Sequence, residues 1–286
     1  MPIIDSHCHA WAAWPYLPDV PDPVSKGAVG KLLNEMTLNG VDRATIVSAQ
    51  IFGNFDNNDY VARAVRENPG RLEQFADVDS FWSETYHTPG AARRLEAVIE
   101  RWPIKGFTHY VAKDDDGEWF NSREGRDFLG VASEARLIAS LAIAPRHQKA
   151  LRQAAARHPD LAILCHHMSG MRADEPEPRP LWREVMASAD LPNIFLKLSG
   201  FHYVTDQSRI WDYPYRDTRW VYESAYERFG TRMCWGSDYP VVTKAMTYRQ
   251  SLEAFRTHCD FVPEQDRAAI LGGTLEGLLA RSGSPA

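Results

Sequence analysis

The feature that most restricts the fold is an alternation of short apolar runs with longer amphipathic segments. Eight runs are bounded by turn or polar residues and are rich in Ile, Val, Leu and Phe, which is typical of buried parallel strands. In order they are PIIDSHCHA, RATIVSA, EQFADVD, IKGFTHY, RLIASLAIA, LAILCHHM, NIFLKLSG and RMCWGSDYP. The segments between them have helical spacing, and KLLNEMTLNG ends in Gly40, a predicted helix C-cap.

Eight strands that alternate with helices predict an α/β fold, a (β/α)8 TIM barrel. The rival is a doubly wound open sheet, but no Gly-x-Gly-x-x-Gly follows an early strand. A chain of 286 residues is of normal size for one barrel, and no linker divides it. We therefore predict a single domain over residues 1–286.

Charge and hydropathy exclude several classes of partner. The net charge is -6 and the basic residues form no long run, which argues against nucleic acid. No apolar stretch approaches the roughly 18–20 residues of a membrane helix. The N-terminus lacks the pattern of a signal peptide, so a cytoplasmic protein is expected. The four cysteines lie in apolar or helical patterns without zinc-type spacing, which predicts buried, reduced thiols.

Two histidines and a distant aspartate are the leading candidates for chemistry. His7 and His9 lie two residues apart in the first predicted strand, so both side chains point into the barrel. They could clamp a metal, polarise a carbonyl, or form a satisfied core pair. Asp238 ends the eighth strand, as a general base or as the N-cap of the next segment. Because a barrel closes, Asp238 is expected beside His7 and His9.

Further polar residues follow other strands. Adjacent strand residues face opposite ways, so at most one of His166 and His167 should face inward. Four residues are second-tier candidates for binding a substrate carboxylate. These are His109, Lys197, Arg146 and His202. A core histidine, a snorkelling lysine or a helix-terminal role is the alternative for each. Aromatic residues in the predicted loops would line a pocket or cover the barrel end. They are Trp11, Trp14, Tyr16, Trp211, Tyr213, Tyr215 and Tyr239.

Five of these stretches together resemble the amidohydrolase superfamily, and within it the amidohydrolase-2 group. The stretches are DSHCHAW, IKGFTHY, LAILCHHMSG, IFLKLSG and CWGSDYP. This group includes 2-pyrone-4,6-dicarboxylate lactonase, sugar-lactonase type enzymes and nonoxidative decarboxylases. By resemblance, His7 and His9 match the first-strand pair and Asp238 the eighth-strand aspartate. His166 takes the place of an aspartate in the sixth-strand Asp-His of the lactonase branch. His167 takes that of the histidine and is expected to face inward.

Two departures from the family pattern bear on the cofactor. The fifth strand, RLIASLAIAP, contains no ligand, and Thr108 replaces the usual arginine before the fourth-strand histidine. One divalent metal, Zn²⁺ or Mn²⁺, could still be held by His7, His9 and Asp238, with a sixth-strand histidine as a fourth ligand. The lactonase branch is thought to work without metal, and the bare fifth strand favours that reading.

The sequence therefore predicts a hydrolase that opens a lactone or related cyclic ester or amide. Asp238 would activate water, and His7, His9 and His167 would polarise the carbonyl, directly or through a metal. His166 and Trp11 would contact the substrate, a small molecule that carries a carboxylate. The alternatives are a metal-dependent nonoxidative decarboxylase of an aromatic or dienoic acid and a non-catalytic ligand-binding barrel.

Overall fold

The computed structural model describes residues 1–17 and 19–283, which form one (β/α)8 barrel. Eight parallel strands lie side by side in chain order. They are β1 (Ile4–Cys8), β2 (Arg43–Val47), β3 (Leu72–Asp77), β4 (Gly106–Tyr110), β5 (Ile138–Ala142), β6 (Ile163–Cys165), β7 (Ile194–Leu198) and β8 (Met233–Trp235). The predicted fold is confirmed, and each of the eight apolar runs corresponds to one strand, with β3 beginning one residue before its run.

Helices connect the strands and cover the outside of the barrel. They are α1 (Pro23–Gly27), α2 (Val29–Asn39), α3 (Asn57–Glu67), α4 (Ala91–Arg101), α5 (Arg123–Glu134), α6 (Gln148–Arg157), α7 (Pro180–Ala187), α8 (Phe201–Val204), α9 (Arg219–Phe229), α10 (Tyr248–Arg256), α11 (Glu264–Ala268) and α12 (Thr274–Arg281). Among the described residues, no helix combines the length and apolar character needed to cross a bilayer. Gly40 ends α2 in the left-handed conformation, as predicted for a C-cap.

The barrel interior is apolar at one end and polar at the other. Apolar side chains from the strands pack with α12 to form the apolar layer. Its members include Ile4, Val47, Phe75, Ile138, Leu164, Phe195 and Cys234. Buried polar side chains, among them Ser140 and Lys197, lie further along the strands. All four cysteines are buried, as predicted, and none is paired in a disulfide.

Residues that follow β8 hold the barrel closed against β1. The Asp238 N–H donates to the His7 carbonyl at 2.7 Å, and the His9 N–H donates to the Tyr239 carbonyl at 2.6 Å. Gly236 permits this approach, because a Cβ atom there would lie 2.7 Å from the Cβ of His7. The closure places Asp238 directly beside the first-strand histidines.

A second buried carboxylate, Asp5, ties the same closure together. It accepts hydrogen bonds from the Ser237 N–H at 2.9 Å, the Tyr248 hydroxyl at 3.0 Å and the His7 N–H at 3.1 Å. Burial raises the pKa of Asp5 to about 6, because the loss of hydration outweighs these hydrogen bonds. The folded state therefore binds a proton more tightly than the unfolded chain does.

We expect this proton to make stability depend on pH. The contribution of Asp5 to the free energy of unfolding should fall by about 3 kcal/mol as pH rises from about 4 to about 6. Asp5→Asn should remove that part of the slope, while Asp77, whose pKa burial also raises to about 6, contributes equally to both proteins. Urea unfolding of wild type and variant at pH 4, 5 and 6 measures the difference. Parallel pH curves would show that Asp5 ionises normally.

Candidate active site

Asp238 is buried at the end of the barrel where the strands terminate, and three imidazoles surround it. Its Oδ1 lies 3.5 Å from His7 Nε2, 3.5 Å from His9 Nε2 and 3.9 Å from His167 Nε2. Burial alone would raise the pKa of Asp238, but the neighbouring histidines, His167 foremost, bring it below its ordinary value. The carboxylate is therefore ionised at neutral pH.

The ring of His9 is fixed on both sides. Its Nδ1 lies 2.7 Å from the Val47 carbonyl, which can only accept, so this nitrogen carries a proton. In the neutral ring, Nε2 then presents a lone pair toward Asp238. Trp11 stacks on the His9 ring at a centroid distance of 4.9 Å, and its own N–H donates to the Ala49 carbonyl at 2.9 Å. Trp11 thus supports His9 from behind.

Beneath the histidines lies Lys197, whose side chain is completely buried. Its Nζ donates to Ser140 Oγ at 2.7 Å and lies 3.3 Å from His7 Nδ1. Ser140 Oγ in turn lies 2.7 Å from His166 Nε2. Burial lowers the pKa of Lys197 to about 7. Burial, followed by the charge of Lys197, lowers the pKa of His7 and of His166 well below the ordinary value. Both rings are therefore neutral at neutral pH.

Both sixth-strand histidines enter the cluster, so the expectation that at most one would face inward is wrong. The ring centroid of His7 lies 4.4 Å from that of His166 and 4.6 Å from that of His167. The strand ends at Cys165, and residues 167–169 have φ between 45° and 55°. Strand alternation no longer applies there, and the left-handed turn brings His167 to the same side as His166.

Two tyrosines belong to the site although the sequence did not single them out. The Tyr203 hydroxyl donates to Asp238 Oδ2 at 2.9 Å. Tyr110 packs edge-on against His166 at a centroid distance of 5.2 Å. Tyr110 is the last residue of β4, so its position at the catalytic end was available from the sequence. Tyr203 lies in α8, a single helical turn that no periodicity indicates.

Other predicted site residues lie outside this cluster. His109 faces the helix layer, where its Nδ1 donates to the Val78 carbonyl at 3.0 Å and its ring packs near Phe128 of α5. The reason is strand alternation, which turns His109 outward and Tyr110 inward. Arg146 is exposed, and its guanidinium contacts His147. His202 is buried and packs on Tyr203 at 3.9 Å, one side chain away from Asp238.

The loop aromatics divide into two groups. Trp11, Trp14 and Tyr16 pack on one another, with centroid distances between 5.3 and 6.2 Å, beside His9. We call these three residues the aromatic wall. The remaining four aromatics lie elsewhere: Trp211 is exposed, Tyr213 and Tyr215 pack together, and Tyr239 packs on Tyr248.

The donor atoms of His7, His9 and Asp238 fit one divalent cation. One ligand atom of each residue lies within 4.8 Å of the others. His7 Nε2 is buried without a hydrogen-bond partner, and His9 donates its other N–H to a carbonyl, as metal-bound histidines do. Three protein ligands suit a catalytic Zn²⁺ or Mn²⁺. A second trio, His7, His166 and His167, shares His7 with the first.

Comparison with known proteins gives the family of the sequence and agrees with the barrel fold. Residues 4–276 match the profile of a family described as amidohydrolase. No curated protein matches the chain significantly. Similar solved structures include a probable 2-pyrone-4,6-dicarboxylic acid hydrolase from Acinetobacter baumannii with citric acid bound. It is 18% identical, with a TM-score of 0.76, over 98% of this chain and 100% of that one.

Two more structures show how varied the similar proteins are. An amidohydrolase from Burkholderia multivorans with bound zinc is 18% identical, with a TM-score of 0.78, over 98% of this chain and 99% of that one. A 2,6-dihydroxybenzoate decarboxylase from Rhizobium is 14% identical, with a TM-score of 0.69, over the same shares of the two chains. At these identities the likeness establishes the barrel fold, and the chemistry has to be argued from the residues.

Proposed function

We propose that this chain, which belongs to the amidohydrolase family, is a hydrolase that opens a lactone or a related cyclic ester or amide. The observation that carries the proposal is the position of Asp238. An ionised, buried carboxylate lies 3.5 Å from two imidazole nitrogens and 3.9 Å from a third. A base and groups that stabilise negative charge thus face one point, which is what addition of water to a carbonyl requires.

In the proposed reaction, Asp238 removes a proton from water as the water oxygen attacks the carbonyl carbon. His7 faces the carbonyl oxygen with Nε2–H, because its Nδ1 accepts from Lys197. His9 and His167 add to this stabilisation whenever their Nε2 atoms carry a proton. The bond between the carbonyl carbon and the ring oxygen then breaks. Asp238 returns its proton to the leaving oxygen, which yields a hydroxy acid and restores the carboxylate.

A bound metal would be held by His7, His9 and Asp238 and would supply Lewis-acid polarisation of the carbonyl. The side-chain positions belong to the protein in either case, but His7 would have to carry its proton on Nδ1 to bind the metal. Tyr203 holds Asp238 through Oδ2, which leaves Oδ1 directed at the histidines. Trp11 and Lys197 hold His9 and His7 in their observed orientations.

A substrate panel with and without chelator tests the proposal. Neutral and carboxylate-bearing lactones, cyclic amides and aromatic acids are incubated with the purified protein, in buffer treated with chelator and in buffer with added Zn²⁺ or Mn²⁺. Ring opening of at least one lactone or cyclic amide is expected. Release of carbon dioxide from an aromatic acid, only with added metal and without any ring opening, would establish the decarboxylase instead.

Tyr203→Phe is expected to move the acid limb of the pH–rate profile. The hydroxyl stabilises the charged form of Asp238, so its removal should raise the pKa of that carboxyl by about one unit. Activity should then be lost at a pH about one unit higher than in wild type. The profile of kcat/KM from about pH 3 to pH 8 measures the shift, because the pKa of Asp238 in wild type lies below its ordinary value.

Tyr248→Phe is the matched control, because it removes a hydroxyl that donates to the other buried carboxylate, Asp5. Its acid limb should coincide with that of wild type. If Tyr203→Phe leaves the limb unmoved, the limb does not report Asp238.

A further inference from the structure

Two lysine side chains meet over the aromatic wall beside the site. Lys244 lies in the turn after β8, and its Nζ is 4.5 Å from the centroid of Tyr16 and 5.4 Å from that of Trp14. Lys26 of α1 reaches the same Trp14 ring from another segment, at 5.3 Å. Segments far apart in the sequence thus bring two ammonium groups to one indole.

Neither lysine forms an ion pair among the described residues, and the charge of Asp238 acts on Lys244 only from a longer distance. Over residues 1–17 and 19–283, no carboxylate oxygen lies within 4.0 Å of Lys26 Nζ or Lys244 Nζ. Lys26 donates to the Thr243 hydroxyl, which is neutral. Burial, followed by the neighbouring lysines 31 and 244, lowers the pKa of Lys26. Two partly buried cations of like charge repel each other unless an anion lies between them.

Trp14 supplies a third donor without an acceptor. The residue is 8% exposed, and its indole Nε1–H is buried with no hydrogen-bond partner. A buried N–H that donates to nothing is unfavourable and uncommon in native proteins. An anion held by Lys26 and Lys244 would supply the missing acceptor.

The aromatic wall connects the two lysines, Lys26 and Lys244, to the histidines of the site. Tyr16 packs edge-on against Trp11 at 5.7 Å, and Trp11 stacks on His9 at 4.9 Å. Two aromatic rings therefore separate the ammonium of Lys244 from the imidazole that faces Asp238. The charge of Asp238 acts on the pKa of both Lys244 and Tyr16, so the two side chains lie within electrostatic range of the proposed catalytic carboxylate.

We propose that Lys26, Lys244 and the Trp14 Nε1–H form a subsite for a carboxylate of the substrate. The inference rests on the proposed function and names its substrate class: a lactone or cyclic amide with a carboxylate on the side away from the reacting carbonyl. This assigns the carboxylate-binding role, predicted for His109 and Arg146 among others, to residues of the loops after β1 and β8.

Isothermal titration with isophthalate tests the subsite without turnover, and isophthalamide serves as the neutral probe of the same shape. Wild type should bind isophthalate and not isophthalamide. Lys26→Met and Lys244→Met should each weaken isophthalate binding by about tenfold at low ionic strength. Lys149→Met, which changes an exposed lysine of α6, should leave it unchanged. Equal affinity in all four proteins, or equal affinity for the two probes, would overturn the subsite.

The two proposals fail in distinguishable ways. If no ring opening is found but isophthalate binding depends on both lysines, the hydrolase proposal is lost and the anion subsite remains. If a lactone is hydrolysed, Lys244→Met should raise KM for a carboxylate-bearing lactone by about tenfold with little change in kcat. The same variant should not change KM for the corresponding neutral lactone. Equal effects on both lactones would overturn the subsite and leave the hydrolase proposal intact.

Discussion

Asp238→Asn is expected to lower kcat/KM for the lactone substrate by about a thousandfold, the scale of a lost general base. The amide cannot accept the proton of water, and it also removes the negative charge that lies 3.5 Å from His7 and His9. Both losses act on the chemical step, so kcat should fall more than KM changes. Steady-state kinetics of the purified variant on the substrate found in the panel measures the effect.

The variant should remain folded for a backbone reason. Asp238 has φ of 59°, a left-handed conformation that asparagine tolerates as well as aspartate does. The amide oxygen can still accept from the Tyr203 hydroxyl. Asp77→Asn is the matched control, since it changes another buried carboxylate at the end of a strand, one that binds Trp82 and Ser80. Full turnover by Asp238→Asn would show that another group activates water.

The fold was predictable because each strand has its own apolar run. A strand buried on both faces needs a continuous apolar segment, and the chain supplies one for β1 to β8 without a gap in the alternation. Barrel closure then followed from the count of strands, and it predicted that Asp238 would lie near His7 and His9. The structure places Asp238 Oδ1 at 3.5 Å from the Nε2 atoms of both histidines.

The site was less predictable where local backbone departs from a regular strand. His166 and His167 both enter the cluster because three successive residues adopt positive φ, and periodicity carries no signal for such a turn. His109 was a candidate because it lies at the end of the fourth apolar run, whereas the alternation within β4 turns it outward and directs Tyr110 inward. Lys26 and Lys244 meet only in the folded chain, because they belong to two loops whose paths the sequence pattern does not define.

A carbonyl in this site could be polarised by a hydrogen bond from His7 or by a bound metal. Lys197 favours the first of these. As an ammonium it has donors only, so His7 Nδ1 must accept and the ring proton of His7 lies on Nε2. In that tautomer His7 can donate to a carbonyl oxygen but has no lone pair for a metal. The positive charge beneath the histidines also opposes a divalent cation.

Lys197→Met is therefore expected to weaken metal-free catalysis and to strengthen metal binding. Methionine is close in volume and apolar, and it frees His7 to carry its proton on Nδ1. At pH 6, where wild-type Lys197 is charged, activity in chelator-treated buffer should fall by about a hundredfold, as for a lost oxyanion donor. Affinity for Zn²⁺ should rise by about tenfold, a typical effect of a residue behind a metal ligand.

Calorimetric titration with Zn²⁺ measures the second effect independently of turnover, and thermal unfolding checks that the variant is folded. Lys105→Met is the control, because that lysine precedes β4 at the opposite end of the barrel and donates to the Ser282 carbonyl. Lys105→Met should change neither the activity in chelator-treated buffer nor the affinity for Zn²⁺. Unchanged zinc affinity together with full chelator-resistant activity in Lys197→Met would mean that the tautomer of His7 is set by Asp238 alone. In that case the Lys197 ammonium serves only to donate a hydrogen bond to Ser140, which in turn contacts His166.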